Sequence, residues 1–315
     1  MSRTLTLLLP HLLTSVQQRL PALETLLARA ERHRIQSASM QQRLLHLTNP
    51  SPAEAESPFG PLCALGDGLD VGTGYWLCAE PVHLSADQAT VYLTARAESL
   101  AITAAEAAAL AAEFNALFHA DGWQLFAPHP TRWYLRLPQS LQLRTTPPDS
   151  AEGRDIWPLR PQGQDGLRLQ AALNEIQMLF HASAVNARRR DHGQPTVNSL
   201  WLWGGAELPA LDVPWAQVQG DDCLLRGIAA QAGIPHAAAG DAAGWLQGRG
   251  DGLVLMREEL PSLEQHWFAP LLMALRRGEL AGLDIHFAAT ACHYRLDRRS
   301  VRRWWRRRHP VAALA

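Results

Sequence analysis

The chain has 315 residues, 47% of them hydrophobic and 19% charged, which suits a globular protein with a large core and excludes a disordered one. Its formal charge is −1, but residues 295–315 carry eight arginines and one acid (+7) while the remainder carries 21 arginines against 29 acids (−8), so any pull on nucleic acid or acidic lipid is local to the C-terminus. All 29 basic residues are arginine, which excludes a Schiff-base lysine, a Walker A lysine and a kinase-type lysine.

Thr4 to Leu9 predicts a buried strand stopped by Pro10. The opening MSRTLTLLLPHLLTSV has an apolar run broken by that proline and no small-residue cleavage site, so it reads as the start of a fold and not as a signal peptide. No run reaches transmembrane length. Leu20 to Arg34 predicts an amphipathic helix with Leu23, Leu26, Leu27 and Ala30 on one face. Residues 48–61 are rich in Pro and Ser and predict loop, Leu62 to Leu65 a short strand, and Gly66 to Gly74 a break.

The texture then changes. Tyr75 to Ala79 and Ala89 to Thr94 predict strands. Thr103 with Glu106 forms a capping-box pattern ahead of an Ala-rich helix reaching about His119. Gln124 to Ala127 and Arg132 to Leu137 predict a hairpin. Residues 138–166 read as a linker to a helix at 168–181, and Val197 to Trp203 as a strand covered on both faces. Further on, strands are expected at Trp215 to Gln219, Gly252 to Met256 and Leu283 to Phe287. Helices are expected at Asp222 to Ala232 and Leu263 to Arg277, closed by Gly233 and Gly278. The pattern is α/β, a mostly parallel sheet core (residues 1–72 and 196–315) with an inserted smaller α+β domain and linker (73–195). The cysteines Cys63, Cys78, Cys223 and Cys292 show neither zinc spacing nor a disulfide framework, and predict a cytoplasmic protein.

Two stretches carry a resemblance. HASAVNARRRDHGQPTVNSLWLWGGA (181–206) resembles the H-x-V-N-x-x-R-x-x-x-G-x-x-x-N-x-x-x-L-x-G-x-G segment of archaeal-type cofactor-independent phosphoglycerate mutases. GDDCLLRGIAAQAGIP (220–235) resembles that family's next strand-to-helix segment, with Asp222, Leu224, Gly227 and Gly233 in matching places. With AEPVHL (79–84), NEIQMLFH (174–181), HWFAPLLMALRRGEL (266–280) and RRWWRRRHP (302–310), the whole chain resembles RpfE-type regulatory proteins, a phosphoglycerate mutase-like group. The resemblance implies a parallel-sheet core of alkaline-phosphatase-like type with an inserted domain. It also implies two metal ions held by Asp and His, and a phosphoryl-carrying serine.

The chain departs from that chemistry. TLTLLLPHLL lacks the first aspartate, FGPLCALGD offers Cys63 and no serine, Arg257-Glu258-Glu259 follows the strand at 252–256, and FAATACHYR stands in place of the closing Asp-His-Ser motif. These departures point to a non-catalytic or regulatory protein with no cofactor, binding a small anionic ligand or a protein partner. The alternatives are an active mutase or phosphatase using two divalent ions, and a nucleic-acid accessory protein acting through the Arg-rich C-terminus.

His181, Asn186, Arg189 and Asn198, with Gly204 and Gly205, are the candidate ligand pocket, because Asn and Arg can grip a phosphate or carboxylate. The same residues suit capping and turn chemistry, and Ser183-Ala184 replace the family's His-Pro. Glu80 and His83 form a secondary acid/base candidate, with Pro81 marking an edge segment. Trp201 and Trp203 share one strand face, as core or as a stacking platform. Arg302, Arg303, Trp304, Arg306 and Arg307 lie on an expected short helix capped by Asp297. Its tryptophans either dock on the body or present a surface to nucleic acid or anionic lipid.

Overall fold

The computed structural model describes residues 3–10, 18–34, 39–48, 56–88, 90–287 and 292–311. The chain divides into two compact units of similar length, one formed by residues 1–50 with 211–315 and the other by residues 51–210. The first unit opens with β1 (Thr4–Leu9), α1 (Pro21–Arg29), β2 (Glu31–Arg34) and α2 (Met40–Leu47). The second contains α3 (Phe59–Gly66), β3 (Tyr75–Asp87), β4 (Thr90–Arg96), α4 (Ala104–Leu117), β5 (Gln124–His129), β6 (Arg132–Leu137), α5 (Gly166–Ala182), α6 (Ala184–Asp191) and β7 (Ser199–Ala206). The chain returns to the first unit with β8 (Gln217–Gln219), α7 (Cys223–Ala232), β9 (His236–Ala237), α8 (Ala242–Gln247) and β10 (Gly252–Leu255). It ends with α9 (Leu260–Leu263), a π turn (Glu264–Phe268), α10 (Ala269–Arg277), β11 (Gly282–Phe287) and β12 (Cys292–Asp297).

In the first unit a seven-stranded sheet runs β2-β12-β11-β1-β10-β8-β9. Pairing is parallel from β11 through to β9, and antiparallel between β11 and β12 and between β12 and β2. β1 sits inside this sheet, which is why TLTLLL is a nearly unbroken apolar run: both faces are covered. Leu23 and Leu26 of α1, Leu271 and Leu275 of α10, and Trp267 join Leu5 and Leu7 in the core. The π turn ends two residues before Pro270, whose missing N–H and ring disrupt regular α-helical bonding in the preceding turn. Glu31–Arg34, expected as the end of a helix, is instead an edge strand on β12. Its four polar, exposed side chains suit an edge and not a core-facing helix turn.

The second unit is built on an antiparallel sheet around the 13-residue strand β3. β3 pairs with β6 over Tyr75–Cys78, with β7 over Trp76–Val82 and with β4 over Val82–Asp87. Pro81, read from sequence as an edge marker, lies in this central strand, between the stretch paired to β6 and the stretch paired to β4. Tyr75, Leu77 and Ala79 pack with Leu110 and Phe114 of α4 and Ile176 and Phe180 of α5. The Thr103–Glu106 capping box forms as expected, with Thr103 N donating to Glu106 Oε2 at 2.8 Å and Glu106 N to Thr103 Oγ1 at 3.2 Å.

Three expectations change here. Leu62 to Leu65, expected as a strand, and Phe59 to Pro61, expected as loop, belong to one helix: Phe59 to Ala64 are all buried, so the segment has no alternating face to mark its period. Residues 138–166 are no free linker, since Arg144 bridges Gln162, Tyr92 bridges Asp155 and Leu93 bridges Glu152. The strand after Val197 pairs antiparallel to β3 and so belongs to the second unit. With α3 it moves the unit boundaries from 72/73 and 195/196 to 50/51 and 210/211.

α3 approaches β3 through Gly60, where a Cβ would stand 2.4 Å from the Trp76 carbonyl oxygen. Gly60→Ala must push the helix off the strand, and about 1–3 kcal/mol of destabilisation is expected, read as a lower urea midpoint with an unchanged far-ultraviolet spectrum.

Candidate functional site

Ligands of parallel α/β sheets sit beyond the carboxyl ends of the strands. Here β1 ends in buried Leu8 and Leu9, and β10 is followed by buried Met256 and then Arg257. β8 leads through Gly220 to Asp221 and Asp222. Gly220 has φ +141°, and a Cβ there would lie 2.7 Å from the Leu255 carbonyl, so the chain needs glycine to turn at this point. Asp222 caps α7, accepting from Leu224 N at 2.9 Å and Leu225 N at 3.2 Å. Its other oxygen accepts from Arg257 at 2.6 Å, and Asp221 pairs with Arg226 at 2.6 Å. The Arg257 guanidinium therefore neutralises the Asp222 oxygen that the helix cap leaves free. Among the described residues no group of three His, Cys, Asp or Glu side chains is arranged to hold a metal ion, so those residues supply no donor set for two metals. Cys63, in the segment offered for the nucleophile, is buried in α3 of the other unit. Residues 288–291 of FAATACHYR lie outside the described residues.

The expected pocket residues are placed as follows. His181 is exposed at the end of α5. Asn186 is buried and donates to the carbonyls of Phe180 and Val197, both at 2.7 Å, while its oxygen accepts from Val197 N at 2.9 Å. Arg189, 1% exposed, donates to Pro195 O at 2.8 Å, to Glu106 at 3.0 and 3.1 Å, and to Leu100 O. Asn198 continues the strand pairing with its side chain, donating to Leu84 O and accepting from Leu84 N, each at 2.8 Å. These amides and this guanidinium bind backbone, which is the capping-and-turn reading of the same residues. Gly204 (φ +63°) and Gly205 leave room for protein: a Cβ would stand 2.6 Å from Phe59 Cβ and 2.5 Å from the Tyr75 hydroxyl, respectively.

Glu80 and His83 are three apart on β3, so they point to opposite faces and form no pair. His83 Nδ1 lies 2.8 Å from Thr196 O. Glu80 accepts from Trp203 Nε1 at 3.1 Å and lies 3.7 Å from Arg96, which also pairs with Asp149. Burial lifts the Glu80 carboxyl to about 7, against the opposing pull of Arg96 and the Trp203 N–H. Trp201 donates to Thr146 O at 2.7 Å, so both tryptophans serve packing and internal hydrogen bonding. Cys292 and His293 diverge as adjacent strand residues should: Arg32 Nε reaches Cys292 Sγ at 3.1 Å, while His293 stacks between His33 (4.9 Å) and His286 (4.8 Å).

A cavity of about 580 Å³ in the second unit was not anticipated; Glu56, Tyr75, Gln142, Arg144, Gly205 and Glu207 are among its lining residues. Glu56 comes from the Pro/Ser-rich stretch. It accepts from Thr145 Oγ1 at 2.8 Å, from Gly205 N at 3.1 Å and from Thr145 N, and burial raises its carboxyl. Burial, then the Glu56 charge, raises the Tyr75 hydroxyl. Nothing in the sequence around Glu56 signals this, because its partners lie about ninety and a hundred and fifty residues away. Of the expected ligand residues, Gly205 alone lines this cavity.

The C-terminal arginines lie on a short 3₁₀ turn (Ser300–Arg302) and an irregular loop, not on the expected helix. Trp304 and Trp305 are exposed, which overturns the docked reading of that segment. Arg303 pairs with Glu31 at 2.6 Å and Arg306 donates to Ala30 O at 2.7 Å, while Arg302 and Arg307 are exposed.

No family model matches the chain. A probable 2,3-bisphosphoglycerate-independent phosphoglycerate mutase from Geobacter sulfurreducens is 28% identical over 131 residues, 39% of this chain and 32% of that protein. A 2,3-bisphosphoglycerate-independent phosphoglycerate mutase from Methanosarcina mazei is 28% identical over 116 residues, 35% of this chain and 29% of that one. The matched region thus spans about a third of these relatives' length. Among solved structures, a Pyrococcus horikoshii protein superposes with a TM-score of 0.55 at 15% identity, covering 93% of this chain and 85% of its own. The cofactor-independent phosphoglycerate mutase of Thermoplasma acidophilum gives 0.49 at 14% identity, covering 94% and 90%. The chain is an α/β protein of alkaline-phosphatase-like fold. It is a distant homologue of the cofactor-independent phosphoglycerate mutases.

Because Arg189 and Asn186 hold backbone, their loss should act on folding. Arg189→Ala is expected to cost roughly 3–5 kcal/mol by leaving Glu106 and two carbonyls without their donor, and Asn186→Ala about 1–3 kcal/mol, both measured by urea unfolding. Glu80 carries a second prediction. Its folded pKa lies above its unfolded one, so its contribution is full below about pH 4.5 and fades as pH rises through about 7. Glu80→Gln should flatten the stability profile across that interval, with a differential of about 2–3 kcal/mol between its ends; an unchanged profile would show that folding does not raise the Glu80 carboxyl.

Proposed function

We propose that this chain is a regulatory, ligand-binding relative of the phosphoglycerate mutases, of the RpfE type, acting in the cytoplasm without two-metal phosphotransfer and without a cofactor. The observation that supports it most is the Arg257–Asp222 pair at the carboxyl edge of the parallel sheet. Asp222 is the acid best placed to hold a cation there, and it is committed to the α7 cap and to a guanidinium. The buried leucines and the methionine that end β1 and follow β10 supply no replacement donor. On this reading the fold is inherited and the reaction is not.

The ligand is a small anionic molecule held in the cavity of the second unit. Arg144 supplies the positive charge, set against the carboxyls of Glu56 and Glu207, and Gln142 and Gln164 supply amide groups around it. A cavity of about 580 Å³ suits a small metabolite.

Two measurements on the full chain test this reading. After exposure to Mn²⁺ and Zn²⁺ and desalting, the protein should hold no stoichiometric metal and should not interconvert 3- and 2-phosphoglycerate; about two bound ions per chain with turnover would restore the enzyme. With 3-phosphoglycerate as the anionic probe, calorimetry should detect binding that Arg144→Ala weakens by roughly tenfold or more. Binding indifferent to Arg144 would remove the cavity from the proposal.

A further inference from the structure

The chain buries eight of its eleven tryptophans. Of the three exposed ones, Trp157 lies beneath the Arg160 guanidinium, 3.5 Å from its ring centre. Trp304 and Trp305, 80% and 64% exposed, have only each other among the described residues, with centroids 6.1 Å apart and planes at 83°.

The segment that carries them is not a frayed end. Val301 and Val311 on either side are buried in the first unit's core, 3% and 1% exposed. Between these anchors Arg303 binds Glu31 at 2.6 Å, Arg306 binds the Ala30 carbonyl at 2.7 Å, and Arg29 binds the Val301 carbonyl at 2.5 Å. The loop is therefore fixed at both ends and in the middle, and it still directs two indoles into water. Leaving that much apolar surface exposed is unfavourable unless something covers it.

Its surroundings define the partner's charge. Arg302, Arg307 and Arg308 are exposed on the same loop, and residues 295–315 sum to +7 while the rest of the chain sums to −8. Arg276 and Arg308 both lie close enough to Arg29 to oppose its charge. Such a patch calls for a dense array of anions.

Single-stranded nucleic acid and a lipid surface both offer one. Consecutive stacked bases present parallel faces, and a platform for them aligns its rings accordingly. Rings held at 83° cannot both join one such stack. A bilayer interface makes no such demand: indoles settle at headgroup level with the N–H toward water. Guanidinium groups meanwhile pair with phosphates in two-pronged fashion. A short apolar anchor reinforced by a basic patch gives reversible attachment without a span, and among the described residues no helix is long and apolar enough to cross a membrane.

We propose that the Arg302–Arg308 loop docks the protein on an anionic lipid bilayer, with Trp304 and Trp305 entering the headgroup layer and the flanking arginines binding lipid phosphates. This inference is independent of the ligand cavity and of the reaction assigned above.

The test uses the full chain in co-flotation with vesicles of phosphatidylglycerol and phosphatidylcholine, against phosphatidylcholine alone. Binding to the anionic vesicles should come with a blue shift of tryptophan emission, fall steeply with salt, and be weaker on neutral vesicles. The double variant Trp304→Ser/Trp305→Ser should lose roughly tenfold or more in affinity. Arg302→Gln/Arg307→Gln/Arg308→Gln should lose on the order of a hundredfold. The thermal midpoint should be unchanged in both, since these side chains carry no buried contact. Three results would overturn the proposal: no binding to anionic vesicles, binding that survives both variants, or tighter binding to single-stranded DNA that quenches the tryptophan emission.

Discussion

One guanidinium, nearly sealed from water, holds the helical layer of the second unit to its sheet. Burying an unpaired arginine costs several kcal/mol, so Arg189 can sit where it does only if its acceptors are all in place. They come from three parts of the chain: the Leu100 carbonyl after β4, the Glu106 carboxylate in the first turn of α4, and the Pro195 carbonyl before β7. Glu106 also closes the capping box with Thr103, so one carboxylate starts a helix and neutralises a buried charge. Asn186, on the same helix as Arg189, grips Val197 by both its N–H and its carbonyl. The loop before β7 is thus held by two side chains of α6, and the register of β7 on β3 follows from it.

That arrangement explains where reading the residues alone was sound and where it went astray. An Asn and an Arg before a glycine-proline turn have the chemistry to hold a phosphate, and the chemistry to hold backbone carbonyls is the same. Only the distances separate the two uses. Local signals travelled well: the unbroken apolar run of β1, the Thr103–Glu106 cap, the β5–β6 hairpin and the αL glycines 233 and 278 all depend on neighbours within a few residues. Features that depend on remote partners did not. Glu31–Arg34 is a strand because β12 lies beside it, and FGPLCALG is a helix buried all round, so neither shows the period of its structure. The cavity beside Glu56 is assembled from segments far apart in sequence, and no local pattern marks it.

At the carboxyl edge of the parallel sheet the Asp222 carboxylate closes a helix and a salt bridge. The Arg257–Asp222 pair is only partly buried, with the arginine half in solvent, so its worth as a stabiliser is small. Its consequence is local: the guanidinium occupies the Asp222 oxygen that the helix cap leaves free.

The absence of lysine bears on both units. A lysine offers one point charge; an arginine offers a planar fork that can reach two acceptors at once. The protein uses that fork repeatedly to close loops against backbone oxygens. Arg3 binds the carbonyls of Gly248 and Glu279, Arg29 that of Val301, Arg306 that of Ala30, and Arg189 those of Leu100 and Pro195. In each case the arginine ties a segment to another that its own secondary structure does not reach. Arginines that find no such carbonyl remain as fixed positive charge at the surface, because the group does not deprotonate in a protein. The C-terminal loop shows both outcomes side by side: Arg303 and Arg306 fasten it to the body, while Arg302 and Arg307 stay in solvent beside two exposed indoles. The same residue type thereby builds the platform and supplies the charge it presents.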